Sequence, residues 1–324
     1  MGRNGYQIEK GMLTITGAKR FGFEPIKVTC CENQKFNSKV SDTVCGDLRI
    51  CPKGKSFVIE ITYRREVSAG AVLLNKDHAL AIDLGIDNLA ACVSTEPGVP
   101  PLLIKGGVLK SINQWWNKRA GELQSLGKYG HLADIAFKRN NQIQDLMHKA
   151  AHAVIECCQA YDIGTIIAGL NPYWKMRVNM GTRNNQKFVQ IPHRDFINKL
   201  CSKAEEHGIK VIVREESYTS KASNLDFDCL PPSYQAGLHP KFSGRRVKRG
   251  MYKTKDGRLI NADIQGAIGI ARKELGDEWL RSFLANGGRV DRPVVIRNLH
   301  SKLDCAALLK KGRRALETLC VSVG

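Results

Sequence analysis

Residues 78–95, HALAIDLGIDNLAACVST, restrict what this chain can fold into more than any other stretch. Positions 79–83 are an apolar run that closes on an acid, Asp83. Gly85, Ile86, Asp87 and Asn88 supply a turn, and positions 89–93 return as a second apolar run. Short apolar runs bounded by turn residues read as buried strands. A third run at 102–104 completes a meander of antiparallel strands. Downstream, helical spacing covers 111–127, with Ser111 as its N-cap, and 133–161. A β-branched strand follows at 163–168, then a helix from Pro192 to about His207 closed by Gly208, and a strand at 209–214. Residues 221–260 show no sustained period and read as an insertion. A last helix opens at Asn261-Ala262-Asp263 and runs to Lys273. Upstream, 1–75 is β-rich, with short alternating runs and a hairpin turn expected at Lys53-Gly54-Lys55. The pattern predicts an α/β domain over 76–285, preceded by a small β-rich barrel or sandwich at 1–75 and followed by a weakly patterned basic tail at 286–324.

Charge says what such a fold meets. Lys and Arg number 50 against 31 Asp and Glu, a net of +19 in a chain of ordinary apolar content, 43%. That excess calls for a polyanionic partner, with nucleic acid first and an anionic membrane second. The membrane reading fails on the absence of any run near the ~20 apolar residues a spanning helix needs. The start, MGRNGYQIEK, has no apolar core of a signal peptide, and Tyr6 stands where a myristoylation motif wants Ser or Thr. The eleven cysteines include no C-x-x-C, so no zinc ribbon is expected and the thiols read as reduced and mostly buried, in a cytoplasmic protein. The positive charge concentrates at 241–258, net +7, and 289–314, net +6. A charge run is ordinarily a solvated surface. Here Phe242 and Tyr252 are interleaved with Lys241, Arg245, Arg246, Lys248, Arg249 and Lys253, a mixture suited to phosphate neutralisation with base stacking.

Three acids stand where side chains can converge. Asp83 ends the first meander strand, Glu216 follows the strand at 209–214, and Asp263 opens the last helix. Such hard oxygen ligands suit Mg²⁺ or Mn²⁺, and two ions about 4 Å apart can activate a water and stabilise the leaving oxygen in phosphodiester cleavage. Each acid also has a plainer role: Asp83 as a turn former, Glu216 as a solvent-facing strand end, Asp263 as a helix N-terminal charge.

The segments ALAIDLGIDNLAACVS, REESYTSKAS and GRLINADIQGAIGIARK resemble, in order, the three RuvC-like segments of the TnpB-type, transposon-associated RNA-guided DNA endonucleases. These are often labelled OrfB-family transposases and are similar to type V CRISPR nucleases and Fanzor proteins. The resemblance spans roughly 78–273 and, more loosely, the β-rich start, which resembles the family's RNA-binding wedge. It implies an RNase H-like fold and an Mg²⁺-dependent cut of DNA, with Asp83, Glu216 and Asp263 as catalytic and metal-holding acids. Most of the family carries the middle acid just after the strand at 165–168; here Gly169-Leu170 follow, and Glu216 before Tyr218-Thr219-Ser220 fits a relocated position better than Glu215. The implied partners are a guide RNA and target DNA, with a separate transposase from the same element and a prokaryotic, nucleoid-associated setting. Contacts are expected from Trp115, Trp116, Lys118 and Arg119 and from 174–187, including Trp174, Lys175 and Lys187. The chain departs from the family in lacking the zinc ribbon, since 221–260 holds only Cys229, and in starting almost directly in wedge-like strands, which suggests a truncated reading frame or a minimal member. Two rivals follow: a non-cleaving RNA-guided DNA-binding repressor or decayed remnant, and a guide-independent nuclease or cut-and-join transposase.

Overall fold

The computed structural model describes residues 5–9, 12–29, 44–53, 56–64, 73–171, 191–235, 237–297 and 299. Met1–Ala71 and Leu123–Lys138 form one unit, and Val72–Glu122 with Arg139–Gly324 form the other.

In the first unit, β1 (Gln7–Glu9), β2 (Met12–Ile15) and β3 (Ile26–Thr29) make an antiparallel sheet, and β4 (Val44–Lys53) pairs with β5 (Ser56–Arg64) as a long hairpin. Alternation along β2 buries Leu13 and Ile15, which pack with Tyr6 and Leu48 in a small core. The Tyr6 hydroxyl donates to the Gly46 carbonyl at 2.8 Å, so its polar end is satisfied as the ring is buried.

The second unit is built on a six-stranded sheet. It contains β6 (Ala79–Leu84), β7 (Asn88–Ser94), β8 (Leu102–Lys105), β9 (Thr165–Gly169), β10 (Lys210–Arg214) and β14 (Val294–Ile296), in the order β10-β9-β6-β7-β8-β14. β6, β7 and β8 are the expected antiparallel meander, while β9 runs parallel to β6 and β10 parallel to β9. Parallel neighbours require crossovers. Helices α1 (Gly107–Ser125) and α2 (Tyr129–Ala160) fill the one between β8 and β9, and α3 (His193–Glu205) lies between β9 and β10. This is a mixed α/β arrangement, the class the sequence pattern predicts for this region.

Strand alternation then assigns the two faces of the sheet. Leu80, Ile82 and Leu84 of β6 join Leu146, Ala150 and Val154 of α2 and Phe196 and Leu200 of α3 in one core. The opposite face meets α4 (Ala262–Leu275) and α5 (Glu278–Ala285): Ala91, Val93 and Leu103 pack with Ile264, Ala267, Ile268, Leu280 and Phe283. Residues 79, 81 and 83 of β6 alternate with Leu80, Ile82 and Leu84, so Asp83 shares the α4 side with two alanines.

Several elements depart from the sequence pattern. Helix α1 begins at Gly107, and Ser111, expected as its N-cap, instead donates from Oγ to the Gly107 carbonyl at 3.1 Å, a back-bond inside the first turns. The 221–260 insertion is not featureless: β11 (Arg245–Lys248), β12 (Met251–Lys253) and β13 (Leu259–Asn261) form an antiparallel ribbon leading straight into α4. Its strands are three and four residues long, too short for a period to register. Likewise α5 and β14 lie at or beyond the end of the region with recognisable pattern. β14 is a three-residue run from the expected tail, and it pairs in parallel with β8. The loop expected over 171–190 falls outside the described residues from 172 onward. Among the described residues no helix is long and apolar enough to cross a membrane.

Candidate active site

Close approach of β6 and α4 puts the first acid in place. The side chains at 79 and 81 are methyl groups, and α4 carries Gly266 opposite Asp83. A Cβ at 266 would stand 2.5 Å from Asp83 Oδ2, so only glycine lets the carboxylate lie against the helix there. Asp263 sits one turn earlier on α4, whose N-cap is Asn261. The Asn261 side chain accepts from the amides of Asp263 at 2.9 Å and Ile264 at 3.2 Å, which fixes the first turn. Buried Asn88, from the start of β7, donates from Nδ2 to Asp263 Oδ2 at 2.6 Å and accepts from Lys105 Nζ at 2.7 Å.

Glu216 reaches the same region from the far side. β9 and β10 are in register with Gly169 beside Arg214, and Glu216 follows two residues later. Its amide donates to Asn171 Oδ1 at 3.1 Å, and its carbonyl accepts from Thr219 Oγ1 at 2.8 Å. A Cβ at 169 would lie 2.6 Å from Glu216 Oε2 and would also strike the Ile270 side chain. The Glu216 carboxylate therefore occupies the space a side chain at the end of β9 would fill. Its Oε2 is buried with no hydrogen-bond partner among the described residues. The neighbouring Glu215 is spent differently. It pairs with the nearly buried Lys273 at 2.7 Å and accepts from the Ser217 amide at 3.1 Å.

A buried polar network holds the Glu216 loop to α4. Asn224 Nδ2 donates to the carbonyls of Thr219 at 2.9 Å and Gln265 at 2.7 Å, and Arg272 donates to Asn224 Oδ1 at 3.0 Å and Asp277 Oδ1 at 2.7 Å. With the Asn224 amide and the Arg272 guanidinium both paired, the network is buried without an orphaned charge.

Electrostatics join the three acids. Burial holds the Asp83 carboxyl well above the usual carboxylate range, and the charges of Glu216 and Asp263 push it further, against a smaller pull from Arg246 and the Leu84 amide. Burial, with the charge of Glu215, pushes Glu216 up to about 7 despite Lys273. For Glu215 itself, burial is outweighed by hydrogen bonds from Lys273 and Ser217 and by the Lys273 charge, so its carboxyl lies below the ordinary value. Two buried acids raised in this way, with an orphaned oxygen, form a site short of positive charge. Among the described residues no three His, Cys, Asp or Glu side chains form a ready-made metal cage. Mg²⁺ does not need one: it keeps its waters and is held by one or two carboxylates together with substrate phosphate oxygens. The donor set therefore fits that ion.

The expected nucleic-acid contacts separate into groups. Lys241, Arg245, Arg246, Lys248, Arg249 and Lys253 are all exposed. The ribbon places Arg246 where its charge acts on Asp83, and Arg249 pairs at 2.7 Å with Asp87 in the β6–β7 turn, which also pairs with Lys110. Tyr252, expected to stack on bases, is instead buried at 1% exposure, with its hydroxyl donating to the Lys221 carbonyl at 2.9 Å. Alternation explains it: Tyr252 lies opposite Arg246 on β11, and the ribbon face carrying its ring packs onto α4. On α1, Lys118 is exposed, Arg119 is paired with Glu122 at 2.8 Å, Trp115 is 52% exposed, and half-buried Trp116 lies 6.0 Å beneath the Arg139 guanidinium. Trp174, Lys175 and Lys187 lie outside the described residues. Asn88, Lys105 and Lys273 are site residues that sequence reasoning missed. Asn88 reads as one more turn former, and nothing local marks a lysine as a partner across the sheet.

Comparison with known proteins follows the same outline. Residues 61–172 match the family model OrfB_IS605, a probable transposase, and residues 193–270 match the Cas12f1-like TNB domain. The TnpB-like protein ORF457 of Acidianus two-tailed virus is 26% identical over 212 residues, 60% of this chain and 42% of that protein, so the chain spans less than half of this relative. Among solved structures, a cryo-EM Cas12f1–sgRNA–target DNA complex is similar at a TM-score of 0.45 and 14% identity, over 71% of this chain and 56% of that one. A CRISPR-Cas12f ternary complex is similar at 0.44 and 16% identity, over 75% and 49%. The two matched segments are consecutive along one sequence, so this chain is similar to the OrfB_IS605 transposase family over residues 61–172 and to the Cas12f1-like TNB domain over 193–270, with a TnpB-like viral protein among its relatives.

Proposed function

We propose that this chain acts as an RNA-guided DNA endonuclease, cutting phosphodiester bonds at Asp83, Glu216 and Asp263 with Mg²⁺ or Mn²⁺. The observation that carries the reading is that the charges of Glu216, after β10, and Asp263, on α4, act on Asp83 of β6, with a buried Glu216 oxygen that has no hydrogen-bond partner among the described residues. When bound, a pair of divalent ions would supply an activated water and charge stabilisation for the leaving oxygen. The protein's own residues supply the rest. Asn88, braced by Lys105, holds one Asp263 oxygen and so fixes the orientation of the carboxylate. Lys273 keeps Glu215 engaged, so that Glu216 is the acid facing Asp83. The exposed arginines of β11 and the ribbon turn give the DNA backbone a cationic bed beside the acids, reading phosphate rather than sequence. Guide RNA and target DNA are the partners that the family resemblance suggests, with sequence read by base pairing.

The test is to purify the protein from cells and sequence the RNA that accompanies it. A single structured RNA with a variable end, which directs Mg²⁺-dependent cleavage of matching DNA, is the expected result. Random RNA, with cleavage indifferent to sequence, would overturn guidance and favour a guide-independent nuclease.

A further inference from the structure

The turn that carries Glu216 also carries a ring that core packing does not explain. Tyr218, two residues on, has φ of +68°, a left-handed conformation that is an outlier for a bulky side chain and marks a locally over-determined backbone. The large aromatic side chains of this unit's core, Phe196, Phe283 and Tyr252, are fully buried. Tyr218 is not among them. It lies nearly parallel to Tyr234, with centroids 6.3 Å apart and planes at 17°, and meets Phe242 at 6.4 Å and 52°. Tyr234 is 66% exposed. Three separate segments are thus folded so that their rings gather at the surface, on the same turn as Glu216 and at the start of the stretch that carries net +7.

We propose that Tyr218, Tyr234 and Phe242 form a stacking platform for an unpaired nucleobase of the DNA strand presented for cutting. This rests on the nuclease reading and adds which side chains of this chain receive the strand: three rings gathered on the turn that carries Glu216. Every base offers a π-face, so the platform accepts any sequence, whereas a duplex keeps those faces inside its own stack. The cations that follow Phe242 neutralise the backbone of the same strand, an arrangement shared by sequence-tolerant single-strand binders.

The experiment measures binding in EDTA, where no cleavage can occur, by fluorescence anisotropy of a labelled single-stranded oligothymidylate and of the same oligomer with central abasic sites. Tyr234→Ala should weaken binding of the base-bearing strand about tenfold, and Tyr234→Phe should restore it. The abasic strand should bind the parent and Tyr234→Ala equally, as should blunt duplex. Equal loss for base-bearing and abasic strands, or no loss for either, overturns the platform. Because the readout is binding without metal, that failure leaves the assignment of the acids standing. Conversely, a protein that cuts nothing could still show the base-dependent difference.

Discussion

Asp83→Ala is expected to lower Mg²⁺-dependent DNA cleavage by about a thousandfold or more, the scale seen when one member of a catalytic set is removed. The expectation comes from where the residue sits. Asp83 is the acid on which the other two act, raised by burial and by the charges of Glu216 and Asp263. No neighbouring carboxylate can replace it: the flanking positions on that side of β6 carry methyl groups, and the facing helix position is Gly266. The same surroundings predict what the variant keeps. Alanine repeats the residue found at 79 and 81, so the strand should still pack against α4. Lys241, Arg245, Lys248 and Lys253 point to solvent and do not depend on Asp83, so nucleic-acid affinity should change less than about threefold. Filter binding and a cleavage assay on the same preparation separate the two. Cleavage at parental rate would remove Asp83 from the site, while loss of both activities together would indicate a folding defect, detected by thermal melting.

Glu216→Gln should make the metal-free protein more stable at pH 8 than the parent, by up to about 3 kcal/mol, although it removes a charged group from a protein of net +19. Burial and Glu215 raise the Glu216 carboxyl from 4.5 to about 7. The folded state therefore binds this proton more tightly than the unfolded chain does. Its contribution to stability is fully present below about pH 4.5 and is lost as pH rises through about 7. Glutamine stays neutral throughout, so the variant and parent should coincide near pH 4.5 and diverge by pH 8, followed by denaturant titration at each pH. Adding Mg²⁺ at pH 8 should raise the melting temperature of the parent more than that of the variant, because a ligand that prefers the folded site stabilises it by mass action. A parent that is the more stable of the two at pH 8 would mean that Glu216 is an ordinary, compensated surface acid.

The sheet and the first acid were legible because the signal there is local. The 79–83 run, its turn and its return are contiguous, and strand alternation fixes the face that Asp83 occupies. The helix at Asn261 was legible for a similar reason, since a capping side chain and the residues it caps are adjacent. What stayed hidden depends on partners far apart in sequence. Glu215 and Glu216 are consecutive and chemically alike; Lys273, 58 positions on, engages Glu215, while Glu216 keeps a buried Oε2 with no hydrogen-bond partner among the described residues. Asn88 binds an oxygen 175 residues away. The fate of the two aromatics in the basic segment reversed part of the expectation: Tyr252 went into the core through ribbon pairing, and Phe242 joined Tyr218 and Tyr234 at the surface. Composition alone cannot distinguish these outcomes, because both residues lie in the same basic stretch, 241–258.

The relocated middle acid is the point on which the proposed site stands, and one comparison tests it. Cleavage of DNA matching the co-purified guide, in Mg²⁺, is measured for the parent, Glu216→Gln and Glu215→Gln. The account predicts a loss of about a thousandfold or more for Glu216→Gln and no more than about tenfold for Glu215→Gln, whose partner Lys273 can still be met by the amide oxygen. Retained cleavage in Glu216→Gln, or a larger loss in Glu215→Gln, would contradict it.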